Sequence, residues 1–304
     1  MRAMPEIDTR LRPSVSFAPP EARADERDPR RDGPADRVGV PMGPGRPAIV
    51  APNYGSGGLH GQVSDYPVQI EKVQAPPLRD ETLARDRLLD WLHVKIHRRA
   101  VLVLAEAGYG KTTLLADFTR RTRVRVSWYR LDRGDRDWLG FIAHLVAAFR
   151  VHQPDFAPIT QSMIREASAA NPSRDALLDT FIRELGSLPA EPASLVLDDF
   201  HLVDDSQESR SVVRELLARA PERLTFVLIS RTTPSLPFAR LRALGEVAEL
   251  RTSDLRFAPE ETERLFRETY ALNLEPAVVA ELSRRTEGWV ASLQLVRAAI
   301  RDRN

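Results

Sequence analysis

The chain of 304 residues contains no cysteine. That excludes structural disulfides, thiolate metal sites, iron–sulfur clusters and cysteine nucleophiles. Lysine is nearly missing too: Lys72, Lys95 and Lys111 are the three lysines among 44 basic residues, and the rest are arginine. Any lysine in a chemically suggestive place therefore stands out. There is no excess of charge of one sign, since 44 basic side chains face 43 acidic ones and leave a formal net charge of +1. Such a balance provides no general attraction to nucleic acid or anionic lipid. No apolar run approaches the roughly 20 residues that span a bilayer, and the N-terminal MRAMPEIDTRLRP lacks the apolar stretch of a secretory signal. The chain reads as cytoplasmic. Its 42% hydrophobic and 29% charged residues are those of an ordinary globular protein with one large or two small domains.

Residues 1–70 hold 11 of the 23 prolines and 8 of the 15 glycines and show neither helical nor strand periodicity. This composition reads as a disordered leader. Its nine arginines are matched by nine acidic residues, so it is not a basic nucleic-acid-binding arm. Order is expected to begin near Pro67, and the spacing of Leu83, Leu88, Leu89, Leu92 and Ile96 predicts a helix over 83–96. Beyond it, strands are predicted at 100–105, 125–131, 194–200, 224–230 and 246–251. Helices are predicted at 111–122, 137–151, in a pair over 159–187, and at 209–220. The strands are continuously apolar rather than alternating, which marks strands buried on both faces. Alternating them with helices predicts an α/β fold: a parallel sheet covered by helices on both faces. From residue 255 the pattern changes to helices without strands (259–270, 277–286 and 289–300), a small helical domain following an α/β domain at 71–254.

The strongest chemical signal is AEAGYGKTT, Ala105 to Thr113, between a predicted strand and a predicted helix. Binding a polyphosphate there requires glycines where backbone amides converge and a lysine to reach the β- and γ-phosphates. It also requires a hydroxyl for the Mg²⁺ shell at the helix N-terminus. Gly108, Gly110, Lys111 and Thr112 meet these needs; Ala107, Tyr109 and Thr113 complete the candidate phosphate-binding loop. The first position of the eight-residue pattern is Ala105 rather than glycine. A second signal is LVLDDF, which puts Asp198 and Asp199 at the carboxyl end of a buried strand, where ligands of parallel sheets bind. Asp198 is the candidate for the Mg²⁺ shell and Asp199 for orienting or deprotonating a water. The extra strand at 125–131 resembles the spacing of P-loop ATPases in which a strand separates the two Walker strands. Those proteins sense the γ-phosphate from the next strand end, here Arg231, whose guanidinium can pair with phosphate through two bonds.

These residues carry a family resemblance. KVQAPPLRDETLARDRLLDWL, AEAGYGKTTLLADF, VSWYRLDRGDRDWLGFIAHLVAAF, LVLDDFHLV, LISRTTPSLPFARLRALGEVAEL, LRFAPEET and EGWVASLQL together resemble the ATPase module of MalT-like LuxR regulators. These are signal-transduction ATPases with numerous domains (STAND proteins), and the resemblance covers about residues 72–300. It implies a switch in which ATP and Mg²⁺ hold an active, self-associating form and ADP an inactive monomer, with slow hydrolysis resetting it. It also implies that Arg85 ends the stretch that contacts base or ribose, and that Arg231 senses the γ-phosphate. His201 matches a position beside the aspartates and reads equally as a turn histidine without a role. In EGWVASL, Val290 stands where the family's glycine-x-proline element has proline. Gly288 and Trp289 are hinge candidates, with Trp289 otherwise a helix-packing core residue.

No winged-helix, sensor-repeat or helix-turn-helix pattern is found before Asn304, so a truncated or split regulator, or a module working through a partner chain, is expected, without direct DNA readout. A P-loop scaffold that has lost its chemistry is the alternative. A motor-type ATPase is disfavoured by the lack of a recognisable arginine finger, pore loop or basic channel.

Overall fold

A computed structural model describes residues 66–167 and 173–301. The expected leader thus lies outside the described residues up to residue 65. The described part opens with a 3-10 turn at Ile70–Val73, then α1 (Asp86–Lys95), β1 (Ala100–Leu104), α2 (Lys111–Arg121) and β2 (Arg125–Arg130). The chain continues with α3 (Trp138–Arg150), α4 (Pro158–Ala167), α5 (Arg174–Leu185), β3 (Ala193–Asp198), α6 (Gln207–Arg219) and β4 (Leu224–Ser230). It then runs through α7 (Ala239–Ala243), β5 (Val247–Arg251), α8 (Thr252–Leu255), α9 (Pro259–Arg264), α10 (Pro276–Thr286) and α11 (Val290–Arg301).

All five strands are parallel, in the order β2-β3-β4-β1-β5. The strand lying between β1 and β3 is β4; β2, which follows β1 in sequence, takes the edge. Alternate residues of β1 serve the two faces. Ala100, Leu102 and Leu104 join a core with residues of α3, α5 and α6, while Val101 and Val103 join another with Leu88, Leu92 and Leu115 of α1 and α2. Burial on both faces is why β1 and β4 read as unbroken apolar runs. A parallel α/β sheet covered on both faces, followed by a helical C-terminal region, is thus present as the patterning implied.

Two local departures have physical causes. Leu83, assigned from its spacing to the first helix, precedes α1. It packs instead with Phe257, Leu265, Phe266 and Leu293 in a third apolar cluster that ties the entry segment to the C-terminal helices. The helix expected over 259–270 is α-helical only to Arg264 and continues as a π-helical turn at Leu265–Thr269. The entry segment is also anchored at its other end. Lys72, 5% exposed, donates to both oxygens of Asp135 at 2.9 Å and lies 2.8 Å from Asp132. Among the described residues no helix is long and apolar enough to cross a membrane.

Candidate functional site

The carboxyl ends of the strands carry the two sequence motifs. β1 delivers the loop from Ala105 to Gly110, and α2 starts at Lys111 with Gly110 as its N-cap. Gly108 sits at φ +82°, and a Cβ built there would lie 2.6 Å from Trp289 Nε1 and 2.8 Å from the Ala291 Cβ, so no other residue fits without displacement. The Lys111 ammonium is held inside the loop, donating to Ala105 O at 2.6 Å and Glu106 O at 2.9 Å. Burial lowers its pKa and the charge of Arg231 adds to this, partly offset by Asp199, Asp198 and Glu106. A cation destabilised in this way gains more than an exposed lysine would from an anion beside it.

At the end of β3, Asp198 is 1% exposed. Its Oδ1 accepts from Thr112 Oγ1 and from the Asp199 N–H, both at 3.0 Å, while its Oδ2 is buried without a partner among the described residues. Burial and the neighbouring Asp199 charge push its carboxyl up to about 6, against the lowering effect of those two hydrogen bonds and of Lys111. Asp199 adopts the left-handed region at φ +59° and opens the 3-10 turn Phe200–Leu202. Asp199 and Arg231 line the same cavity as Lys111 and Thr112. Arg231 follows β4 directly, is exposed, and has no hydrogen-bond or ion-pair partner among the described residues.

That cavity, about 360 Å³, has the loop, with Ala107 through Thr113, as one wall. The opposite wall is apolar, comprising Leu83, Phe257, Leu265, Tyr270 and Val290, and Gln294 and Asp117 add polar atoms. Patterning gave no sign of most of this wall, because its residues come from segments remote in sequence and read as ordinary core positions. Val290, which occupies the proline position of the family element, lines the cavity.

Arg85 also lines the cavity, but its guanidinium is committed elsewhere. It forms a two-bond pair with Glu261, at 3.1 and 2.8 Å, and donates to the carbonyls of Leu255 at 2.6 Å and Arg256 at 2.8 Å. Its Cζ stacks 4.2 Å from the Phe257 ring centroid. Burial pushes the Glu261 carboxyl up, yet the bonds from Arg85 and the Ala258 N–H outweigh it and hold the group below its ordinary range. Arg85 therefore clamps the entry segment to the helical region.

Two other expectations change. Trp289 is not core: it is 37% exposed, and its indole Nε1–H donates to Ala107 O at 3.0 Å, across from the phosphate-type loop. The helix pattern hid this because Trp289 precedes α11, where its ring reaches over the loop instead of into a helix interface. His201 lies outside the cavity, in a separate depression with Arg133, Arg136 and Asp205, and burial lowers its pKa.

The donor set suits a hard cation. A buried carboxylate with one unpartnered oxygen beside a threonine hydroxyl provides the one or two protein oxygens that Mg²⁺ takes when phosphate and water complete its octahedron. Among the described residues no group of three or more His, Asp or Glu side chains is placed to hold a metal ion.

The chain is 33% identical over 233 residues to the HTH-type transcriptional regulator MalT of Yersinia pestis (strain Pestoides F), and 32% identical over 233 residues to that of Serratia proteamaculans. Each match covers 77% of this chain and 25% of the relative, so the chain spans about a quarter of the length of these curated relatives. Among solved structures, a STAND protein with a tetratricopeptide repeat sensor from Pyrococcus horikoshii superposes with a TM-score of 0.54 at 20% identity. The superposition covers 76% of this chain and 32% of that one, and it shows a shared fold. The family model described as AAA ATPase domain matches residues 76–229, about half of the chain. The chain belongs to the AAA ATPase domain family.

Proposed function

We propose that this chain is the nucleotide switch module of a MalT-like transcriptional regulator: it binds ATP with Mg²⁺, hydrolyses it slowly, and self-associates in the ATP state. The observation that carries the reading is that the Lys111 loop, Thr112, Asp199 and Arg231 line one cavity together with apolar side chains, while Thr112 bonds to the buried Asp198 at the end of β3. In this reading residues 71–254 form the nucleotide-binding domain and residues 255–304 a helical domain that closes on it.

The roles follow from chemistry and position. Backbone amides of the loop and the Lys111 ammonium neutralise the β- and γ-phosphates. Thr112 and Asp198 hold the metal, which supplies charge neutralisation on the phosphates. Asp199, beside them, orients the attacking water. Arg231, the exposed cation opposite Lys111, pairs with the γ-phosphate and makes the site distinguish ATP from ADP. Phosphoryl transfer needs mainly positioning and charge stabilisation, and these residues provide both. The apolar wall of Leu83, Phe257 and Val290 suits a purine base.

Calorimetry with ADP, Mg-ATP and GTP, followed by light scattering of each complex, tests the proposal. Adenine-selective binding with a larger particle only under ATP is the expected result. Binding without any change of size removes the self-association part, and Mg²⁺-independent occupancy with no turnover favours a scaffold.

A further inference from the structure

Resting on that nucleotide reading, we infer that Trp289 is a positioning residue: its indole N–H, with the N–H of Ala291, sets the orientation of the loop amides that receive phosphate. A phosphate-binding loop works only if successive peptide units turn their N–H groups inward and their carbonyls outward. In a trans peptide the two point in opposite directions, so fixing a carbonyl fixes the following N–H. Trp289 Nε1 donates to Ala107 O at 3.0 Å, which directs the Gly108 N–H away from the helical region. The Ala291 N–H donates to Gly108 O at 3.2 Å, which does the same for the Tyr109 N–H. Two consecutive peptide units of the loop are thus held by two donors from the start of α11.

The anchor is itself rigid. Gly288, at φ +69°, accepts at its carbonyl from the Phe257 N–H at 2.9 Å, and a Cβ on it would lie 2.4 Å from Phe257 O. Phe257 in turn carries the stacked Arg85 guanidinium, which is locked to Glu261. The Tyr109 ring lies 6.5 Å from the Trp289 ring, closing the contact on the loop side. A shift of the helical region relative to the sheet is therefore felt first by the two peptides that face phosphate. Ligands with phosphates should sense the loss of the Trp289–Ala107 bond, whereas the base alone should not.

Phosphate dependence separates this role from a general structural one. In displacement titrations with a fluorescent ADP analogue, Trp289→Phe keeps a ring but loses the donor. It is expected to weaken ADP and ATP by about three- to tenfold, the size of one net hydrogen bond, and to leave adenosine affinity unchanged. Trp289→Ala should act in the same sense and more strongly. An equal loss for adenosine, a lowered midpoint with parallel loss of every ligand, or no loss for ADP overturns the inference. Lys111→Ala, measured in the same series, separates the two readings. Loss of ADP there with none in Trp289→Phe refutes only the positioning role, while no ADP binding by the wild type refutes both.

Discussion

Replacing Asp198 with Asn should stabilise the protein at neutral pH while removing its metal dependence. The carboxyl titrates near 3.8 in an ordinary environment and at about 6 in the fold, raised first by burial and next by Asp199. The folded state therefore holds a proton more tightly than the unfolded chain, so stability falls as pH rises from 3.8 to about 6 and is level above that. That interval corresponds to about 3 kcal/mol, and at 1% exposure solvent screening takes little from it. Asparagine resembles the protonated acid: its amide oxygen can accept from Thr112 and Asp199, and its NH₂ replaces the unpartnered Oδ2. Urea denaturation in EDTA without nucleotide should show Asp198→Asn more stable than wild type by up to about 3 kcal/mol at pH 7. The difference should close towards zero by pH 4. A variant less stable at pH 7, or a gap that is the same at both pH values, would refute the reasoning. The fold thus retains a destabilising charge where a cation is to be held.

Removing the Lys72 ammonium with Lys72→Met should cost about 3–5 kcal/mol in urea denaturation, because Asp135, 4% exposed, would keep a buried charge without its cation. Gly288→Ala should lower the melting midpoint through a left-handed backbone and a Cβ only 2.4 Å from Phe257 O, with a loss of at least about 1–2 kcal/mol; an unchanged midpoint contradicts the packing described. Arg231→Ala should leave ADP affinity within about twofold and weaken ATP by about tenfold, the worth of a charge-assisted bond to the third phosphate, as read by calorimetry. Equal losses for ADP and ATP would place Arg231 away from the γ-phosphate.

How much of this was legible in the sequence depends on distance along the chain. The loop from Ala105 to Thr113 and the pair Asp198–Asp199 are local patterns at strand ends, and the structure brings them together across the sheet. The buried strands announced themselves by continuous apolar runs. The contacts that tie the helical region to the sheet were invisible. Arg85 meets Glu261 across 176 residues and Trp289 meets Ala107 across 182, and no periodicity encodes such a pairing. The resemblance implies that Arg85 ends the stretch that contacts base or ribose; it lines the cavity, and its guanidinium bonds to the Leu255 and Arg256 carbonyls at the end of α8. Leu83 was placed on a helix because it shares the spacing of Leu88 and Leu92, yet Phe257 and Leu293 take it into another cluster.

Adenine nucleotide binding at the Lys111 loop is tested by calorimetric titration of wild type and Lys111→Ala with ADP and Mg-ATP. Saturable one-to-one binding to the wild type is expected, with none, or at least about hundredfold weaker binding, to the variant, since a buried cation bonding to phosphate is removed. Equal affinity in the two proteins, or no binding by the wild type, would contradict it.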